Sequence, residues 1–140
     1  MRDLEETRTN RTEAADNSLP VASTGSATAL IDEGNALEEQ GRPAEAMARY
    51  DAAAKADPQC ARAHLNRGNV LLADGRTDEA RSAYERAIAC DPHYAGAHFN
   101  LGNLHCRTGE FERALHNYKA AIEIRPNFAD AFVAMGECTR

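Results

Sequence analysis

Asparagines recur in pairs three residues apart, as Asn66 with Asn69 and Asn100 with Asn103. Residues three apart on a helix lie on the same face, so each pair would present two side-chain amides together. An amide offers two N–H donors and one carbonyl acceptor. This chemistry matches the alternating C=O and N–H groups of an extended polypeptide, whatever its sequence. The pairs therefore indicate a surface suited to binding peptide backbone.

Four cysteines and five histidines are the other residues whose chemistry needs attention. Cys90 and His93 have a Cys-x-x-His spacing, but a zinc site needs four converging ligands, usually from two such pairs. The sequence contains no phosphate-binding loop, dinucleotide fingerprint or Gly-x-Ser-x-Gly motif. We therefore predict no catalytic residues, no metal and no cofactor, and we expect that the protein is not an enzyme.

Composition limits the partners and the compartment. A net charge of −6 argues against a nucleic-acid surface, which needs clustered Lys and Arg. No run of about 18 apolar residues is present to span a membrane, and the charged N-terminus lacks the apolar region of a secretory signal. We expect a cytoplasmic protein whose cysteines are reduced thiols, namely Cys60, Cys90, Cys106 and Cys138.

The elements that position these residues follow from an internal repeat. Segments 27–60, 61–94 and 95–128 align without gaps at a spacing of 34, and the second and third share 12 identical residues of 34. Five columns recur in all three segments, which in the second are Gly68, Ala80, Tyr84, Ala87 and Pro92. A period of this length is typical of a solenoid of stacked helical units.

Each segment predicts an antiparallel pair of helices. In the second segment, apolar residues spaced three and four apart indicate an amphipathic helix, which Gly75 ends by adopting a left-handed conformation at low cost. A second helix follows, and Pro92 stops it because proline disfavours the helical conformation in the residue before it. One hairpin cannot bury both its faces, so neighbouring units must stack.

The recurring Gly, Ala, Tyr, Ala and Pro columns resemble the tetratricopeptide repeat (TPR) family. The resemblance implies an all-α fold, a right-handed superhelix of three hairpins plus a C-terminal helix. Residues 129–140 then form either a capping helix or the first helix of a truncated fourth unit, and both interpretations stay open. Residues 1–26, rich in polar and charged residues, are expected to be a disordered leader.

In TPR proteins the first helix of each unit lines a concave groove that holds extended peptides. The resemblance places one column of asparagines (Asn66, Asn100) and a second column (Asn35, Asn69, Asn103) there. We call these five residues the amide ladder. The alternative for the second column is a structural role within the repeats. An apolar strip of Ile31, Leu65, Phe99 and Val133 is expected beside the ladder, with Leu65 and Phe99 as ligand contacts.

Co-chaperone TPRs grip the carboxylates of chaperone tails with two Lys, one Arg and two Asn. Asn35 and Asn66 match the asparagines, whereas the cationic positions fall on Ile31, Gly96 and Asn100. Without charge-assisted bonds a chaperone-tail clamp is not expected. The groove instead looks like that in the TPR arm of O-linked N-acetylglucosamine transferases, where asparagines hold substrate backbone.

We therefore predict a protein–protein interaction module or adaptor that holds an extended segment of a partner protein. Two alternatives remain: the targeting arm of a larger enzyme such as a glycosyltransferase, and a small TPR chaperone for secreted proteins. The excess of acidic residues is greatest in the first unit. Either this charge favours a partner that is basic near that end, or the acidic residues simply form solvated helix faces. Self-association through the C-terminal helix is a further expectation.

Overall fold

Seven α-helices and no strands make up the described part of the chain, residues 23–139 of a computed structural model. The all-α prediction is confirmed. The helices pair as hairpins within the 34-residue segments, and a last helix follows. Their bounds are α1 Ser23–Glu39, α2 Pro43–Ala56, α3 Ala61–Ala73, α4 Thr77–Cys90, α5 Ala95–Arg107, α6 Phe111–Ile124 and α7 Ala129–Cys138.

The first helix begins before the predicted end of the leader. The sequence predicts a disordered leader through residue 26, and α1 spans Ser23–Glu39. Residues 1–22 lie outside the described residues, so disorder there stays a prediction.

A left-handed glycine joins the two helices of each hairpin. Gly75 has φ of 80°, a conformation that costs a residue with a side chain more than it costs glycine. The chain then turns so that the Arg76 N–H donates to the Leu71 carbonyl at 2.9 Å. The same arrangement recurs at Gly41 and Gly109. The turn reverses the chain in three residues and sets the two helices antiparallel.

A tyrosine ring fills the space between the helices of each hairpin. Tyr84 on α4 is 1% exposed, and its ring packs against Gly68 on α3 so closely that a Cβ there would lie 2.5 Å from the ring. Fully buried alanines, Ala80 and Ala87, flank the tyrosine. The glycine, the tyrosine and the alanine columns of the repeat are therefore explained by one close contact between two helices.

The hairpins stack into an arc. The first helices of consecutive pairs, α1, α3, α5 and α7, contact one another along the series. Within residues 23–139, the second helices α2, α4 and α6 make no such contacts with each other. Helices that touch lie on the inside of a curved stack and helices that diverge lie on the outside. The concave face is therefore formed by α1, α3, α5 and α7.

The last helix closes the stack only partly. α7 packs against α6 and α5 through the buried residues Ala131 and Cys138. Its other face leaves Phe132 53% and Val133 58% exposed. Gly136 occupies the repeat's glycine position, yet nothing lies within 4 Å of the Cβ it lacks. The polar outer surface that a capping helix usually has is therefore absent from this face of α7.

Two of the four cysteines are bonded, which corrects the prediction of four reduced thiols. Cys106 on α5 and Cys138 on α7 form a disulfide with their Cα atoms 5.8 Å apart. The two positions differ by 32 residues, two fewer than the repeat. Residues two apart on a helix point to nearly opposite sides. An offset of two from the repeat therefore lets one cysteine lie on the side of α5 that faces α7 and the other on the side of α7 that faces α5. Cys60 and Cys90 are free.

The helices of the described region carry no candidate membrane span, because none is both long enough and apolar enough. The same residues also contain no group of three or more His, Cys, Asp or Glu side chains placed to hold a metal ion.

The glycine–tyrosine contact predicts opposite outcomes for two glycine substitutions. In Gly68→Ala, the new methyl group would collide with the buried Tyr84 ring, and overpacking of this kind costs about 1–3 kcal/mol. In Gly136→Ala, the methyl group enters open space and gains helix propensity of up to about 1 kcal/mol. Urea unfolding followed by circular dichroism measures both. Equal effects of the two substitutions would contradict this packing of glycine against tyrosine.

Candidate peptide-binding groove

The inner face of the arc is lined by an exposed stripe along each first helix. On α3 the stripe holds Arg62, Asn66, Asn69 and Ala73, all exposed or half-buried, while Gly68 and Leu71 on the opposite face are buried. The residues at the same places on the other first helices also lie at the surface. On α5 these are Gly96, Asn100, Asn103 and Arg107. The amide ladder thus lies in surface stripes of α1, α3 and α5.

Hydrogen bonds join the ladder from one unit to the next. The Asn100 Nδ2 donates to the Asn69 Oδ1 at 2.9 Å, across the boundary between the second and third units. The Asn66 Nδ2 donates to the Asn35 Oδ1 in the same way, at 3.1 Å. Each contact pairs a residue of the first column with one of the second column in the preceding unit. The ladder therefore contains two amide pairs, Asn35 with Asn66 and Asn69 with Asn100.

The tyrosine that is buried between the two helices of each hairpin also forms a hydrogen bond with the ladder. The Tyr84 hydroxyl donates to the Asn69 Oδ1 at 2.6 Å, and the Tyr118 hydroxyl donates to the Asn103 Oδ1 at 2.6 Å. In the first unit the hydroxyl of Tyr50 lies 2.8 Å from the Asn35 Oδ1 and is shared with the Glu38 carboxylate. We call each trio of glycine, tyrosine and asparagine (Gly34/Tyr50/Asn35, Gly68/Tyr84/Asn69, Gly102/Tyr118/Asn103) a tyrosine lock.

The network decides which polar atoms remain for a ligand. The Asn69 Oδ1 already accepts two hydrogen bonds, from Tyr84 and from Asn100, which uses both of its lone pairs. Its Nδ2 group is left to donate. Asn100 uses one N–H toward Asn69, so its Oδ1 is left to accept. Beyond these bonds, the second column keeps N–H donors, and the first column keeps carbonyl acceptors together with N–H groups.

Burial keeps the tyrosines protonated, so that they remain donors to the ladder. It raises the pKa of Tyr84 to about 12. The pKa of Tyr50 is raised first by burial and then by its hydrogen bond to Glu38. Burial also raises the pKa of Tyr118, with a smaller contribution from the nearby Glu137 carboxylate. At neutral pH each hydroxyl therefore holds the asparagine of its own tyrosine lock in one amide orientation.

The predicted apolar strip is not a continuous exposed surface. Ile31 and Leu65 are 1% and 8% exposed and belong to the hydrophobic core, because their place on the helix turns toward neighbouring helices instead of into the groove. Phe99 is half-buried, with its ring 6.0 Å from that of Tyr118 and 4.9 Å from that of Phe128. Val133 is exposed. Leu65 therefore offers a ligand little surface, and Phe99 offers only part of its ring.

Sequence reasoning assigned the tyrosines to packing and missed their hydrogen bonds. The signal was present: in every unit the tyrosine follows the second-column asparagine by 15 residues, as for Asn69 and Tyr84. A constant offset within a repeated hairpin implies a constant contact across it. The alternative structural role of the second column is therefore real, because Asn35, Asn69 and Asn103 all bond to a tyrosine.

The histidines at equivalent places are packing residues. His64 is 2% exposed, and its Nε2 lies 3.2 Å from the Pro58 carbonyl oxygen. His98 repeats the contact with Pro92 at 2.9 Å. Burial lowers the pKa of His64, so the ring is neutral at physiological pH and its Nε2–H can donate to the carbonyl. These contacts hold the starts of α3 and α5 against the turns that precede them.

A curved stack of helical hairpins with a polar inner face defines an α-helical repeat protein. Two sequence models described as tetratricopeptide repeat match residues 31–95 and 71–136. The chain belongs to the tetratricopeptide repeat family, whose members mediate protein–protein interactions. A comparison with curated protein sequences returns no match.

Solved structures share the fold. The first TPR of Spaghetti (RPAP3), bound to the HSP90 peptide SRMEEVD, is 24% identical with a TM-score of 0.77, covering 83% of this chain and 92% of that one. MamA is 27% identical with a TM-score of 0.72, covering 80% and 66%. An O-GlcNAc transferase mutant of Thermobaculum terrenum is 22% identical with a TM-score of 0.78. The match covers 86% of this chain but only 23% of that transferase.

The raised tyrosine pKa predicts a loss of stability in alkali. An unfolded tyrosine loses its proton near pH 10, whereas folded Tyr84 keeps it until about 12. Its contribution is therefore complete below pH 10 and is lost as the pH rises from 10 to 12, by about 3 kcal/mol in total and about half of that at pH 11. Urea unfolding of the wild type and Tyr84→Phe at pH 8, 10 and 11 measures it. The wild type should lose more stability than the variant, and equal losses would contradict the assignment.

Proposed function

We propose that this protein is an interaction module that holds an extended segment of a partner protein in its concave groove. The observation that carries the proposal is the set of polar atoms that the ladder leaves free. The amides of Asn35, Asn69 and Asn103 retain N–H donors, and those of Asn66 and Asn100 retain carbonyl acceptors. An extended backbone offers the complementary carbonyls and N–H groups at every residue.

Rigidity supports the proposal. Each second-column amide of the first two units is held by a buried tyrosine and by a first-column amide, as Asn69 is by Tyr84 and Asn100. Its free N–H groups therefore point in a set direction before a ligand arrives. Preorganised groups lose less conformational entropy on binding than mobile ones. A groove of fixed amides can therefore bind a segment through its backbone alone, with side chains adding specificity at the edges.

The proposed partner differs from the chaperone tail seen with RPAP3. The HSP90 peptide in that structure, SRMEEVD, is acidic. In this chain the positions that carry the clamp's cations in co-chaperones are Ile31, Gly96 and Asn100. Asp32, on the groove side of the first unit, is exposed and would repel such a tail. We therefore propose a partner segment of a different chemistry.

Removing the first column tests the function. The double variant Asn66→Ala/Asn100→Ala deletes two acceptors and both amide–amide hydrogen bonds between units. It leaves the tyrosine hydrogen bonds to Asn35, Asn69 and Asn103 in place. Peptides selected from a random 12-residue display library against the wild type should bind this variant at least about tenfold more weakly, since each lost hydrogen bond contributes about 1 kcal/mol. Fluorescence anisotropy with labelled peptides gives the dissociation constants.

The matched control is Gln59→Ala/Asn127→Ala, which removes two exposed amides in the turns between units. It should bind the selected peptides as the wild type does. Circular dichroism melts establish that both variants are folded. Peptides that bind the wild type and the ladder variant equally would show that the ladder is structural, and the proposed groove function would be wrong.

A further inference from the structure

The charges around the amide ladder define the kind of segment that fits. Two rows run along the middle of the groove, each with one residue from every first helix. The first row is Asp32, Asn66, Asn100 and Ala134, and the second row is Asn35, Asn69, Asn103 and Glu137. All eight residues are exposed or half-buried. These middle rows contain five amides and two carboxylates, and the cations of the stripe, Arg62 and Arg107, lie in the rows on either side.

The two carboxylates stand on the first and last helices of the described stack. Asp32 lies on α1, where its side chain is 66% exposed and its nearest cation, Arg62, is 4.0 Å away. Glu137 lies on α7, exposed, and close enough to Tyr118 that its charge contributes to that residue's raised pKa. The ion pair of Asp32 with Arg62 is long and exposed, and exposed pairs of this kind contribute little. A cation on a bound segment could therefore replace Arg62 at Asp32, and Glu137 is exposed to such a cation as well.

The separation of the two ends gives the length of that segment. Packed helices lie about 8–10 Å apart, and three steps lead from α1 to α7, so the ends are about 27 Å apart. An extended chain advances about 3.3 Å per residue. About eight residue steps therefore connect Asp32 to Glu137, which corresponds to the first and last residues of a nonapeptide.

We propose that the groove is built for an extended segment of about nine residues with Lys or Arg at both ends and uncharged residues between them. This inference rests on the proposed function, since it names the segment that the same groove would hold. The amide ladder binds the middle of the segment through its backbone, and the carboxylates of Asp32 and Glu137 bind the ends. Uncharged residues suit the middle because the amides there provide no counter-charge.

Matched nonapeptides test the inference. The probe is fluorescein-labelled Lys-Ala-Thr-Val-Ser-Ala-Thr-Val-Lys, compared with peptides in which both lysines are replaced by Glu or by N-acetyl-lysine. The lysine peptide should bind about tenfold more tightly than the acetylated one, because each exposed ion pair contributes a factor of about three. Its advantage should shrink as salt rises from 50 to 300 mM. In the Asp32→Asn/Glu137→Gln variant the preference should disappear.

The outcomes separate this inference from the proposed function. All three peptides could bind the wild type with equal affinity and bind Asn66→Ala/Asn100→Ala more weakly. That result would support the backbone-binding groove and contradict the preference for basic ends. Tighter binding of the Glu-ended peptide would also overturn the inference. Since backbone recognition does not depend on the middle sequence, failure of all three to bind would contradict both proposals.

A second inference rests on a different observation, the bond between Cys106 and Cys138. Cys138 is the last residue of α7 and Cys106 lies in the last turn of α5. Their Cα separation of 5.8 Å lies at the usual value for a disulfide, so the bond forms without moving the helices. It fixes the end of α7 one residue after Glu137. We infer that oxidation of this pair holds the end of α7, which carries Glu137, against α5.

The reaction needs only a low-molecular-weight disulfide such as oxidised glutathione. The thiolate of Cys106, which is half-buried and so more accessible than the buried Cys138, attacks one sulfur of oxidised glutathione and releases one reduced glutathione. The Cys138 thiolate then attacks the Cys106 sulfur of the mixed disulfide and releases the second. Two protein thiols are oxidised, and one glutathione disulfide is reduced to two thiols.

Hydrogen exchange of α7 tests the second inference. In protein treated with oxidised glutathione, the backbone amides of residues 131–138 should exchange at least about tenfold more slowly than in protein reduced with dithiothreitol. The reason is that a cross-link suppresses local opening. The variant Cys60→Ser/Cys90→Ser should keep this difference, and Cys138→Ser should lose it. Exchange at one rate in both redox states of the wild type, or a difference that persists in Cys138→Ser, would overturn the inference.

Discussion

Each tyrosine lock joins the core of a hairpin to the surface of the groove. The ring of Tyr84 needs the missing side chain of Gly68 in order to lie between the helices. Once it lies there, its hydroxyl reaches through to Asn69 on the inner face. Burial of a large ring stabilises the hairpin, while the hydroxyl satisfies its own hydrogen-bonding need only by orienting the groove amide. Packing and ligand chemistry therefore depend on the same side chain.

The link between units runs through the same asparagines. Asn69 accepts from the tyrosine of its own hairpin and from Asn100 of the next. A change in the angle between hairpins would break the bond between Asn69 and Asn100 before the bond between Asn69 and Tyr84, because only the former joins two hairpins. The polar inner face therefore contributes to the curvature of the stack as well as to binding. At the last unit the ladder ends, because Ala134 stands where the next asparagine would be, and the Cys106–Cys138 bond makes the cross-connection there instead.

Helices and turns that recur at 34 residues could be predicted from the sequence, whereas the contacts of individual side chains between helices could not. The hairpins, their glycine turns and the position of the asparagines on a shared face all follow from repeated columns. The burial of Leu65 could not be predicted, because a helical pattern alone does not say how far each residue turns toward the neighbouring unit. Cys106 and Cys138 were misjudged because their offset of 32 is not a repeat distance. Only the stacking geometry brings them together.

The coupling of core and groove is tested most directly by a double-mutant cycle on the second tyrosine lock. Urea unfolding free energies are measured for the wild type, Tyr84→Phe, Asn69→Ala and the double variant. The hydrogen bond between the two side chains predicts that the summed single losses exceed the double loss by about 1 kcal/mol. Single losses that add up to the double loss within about 0.3 kcal/mol would show that the hydroxyl and the amide act independently, and the coupling between core and groove would be wrong.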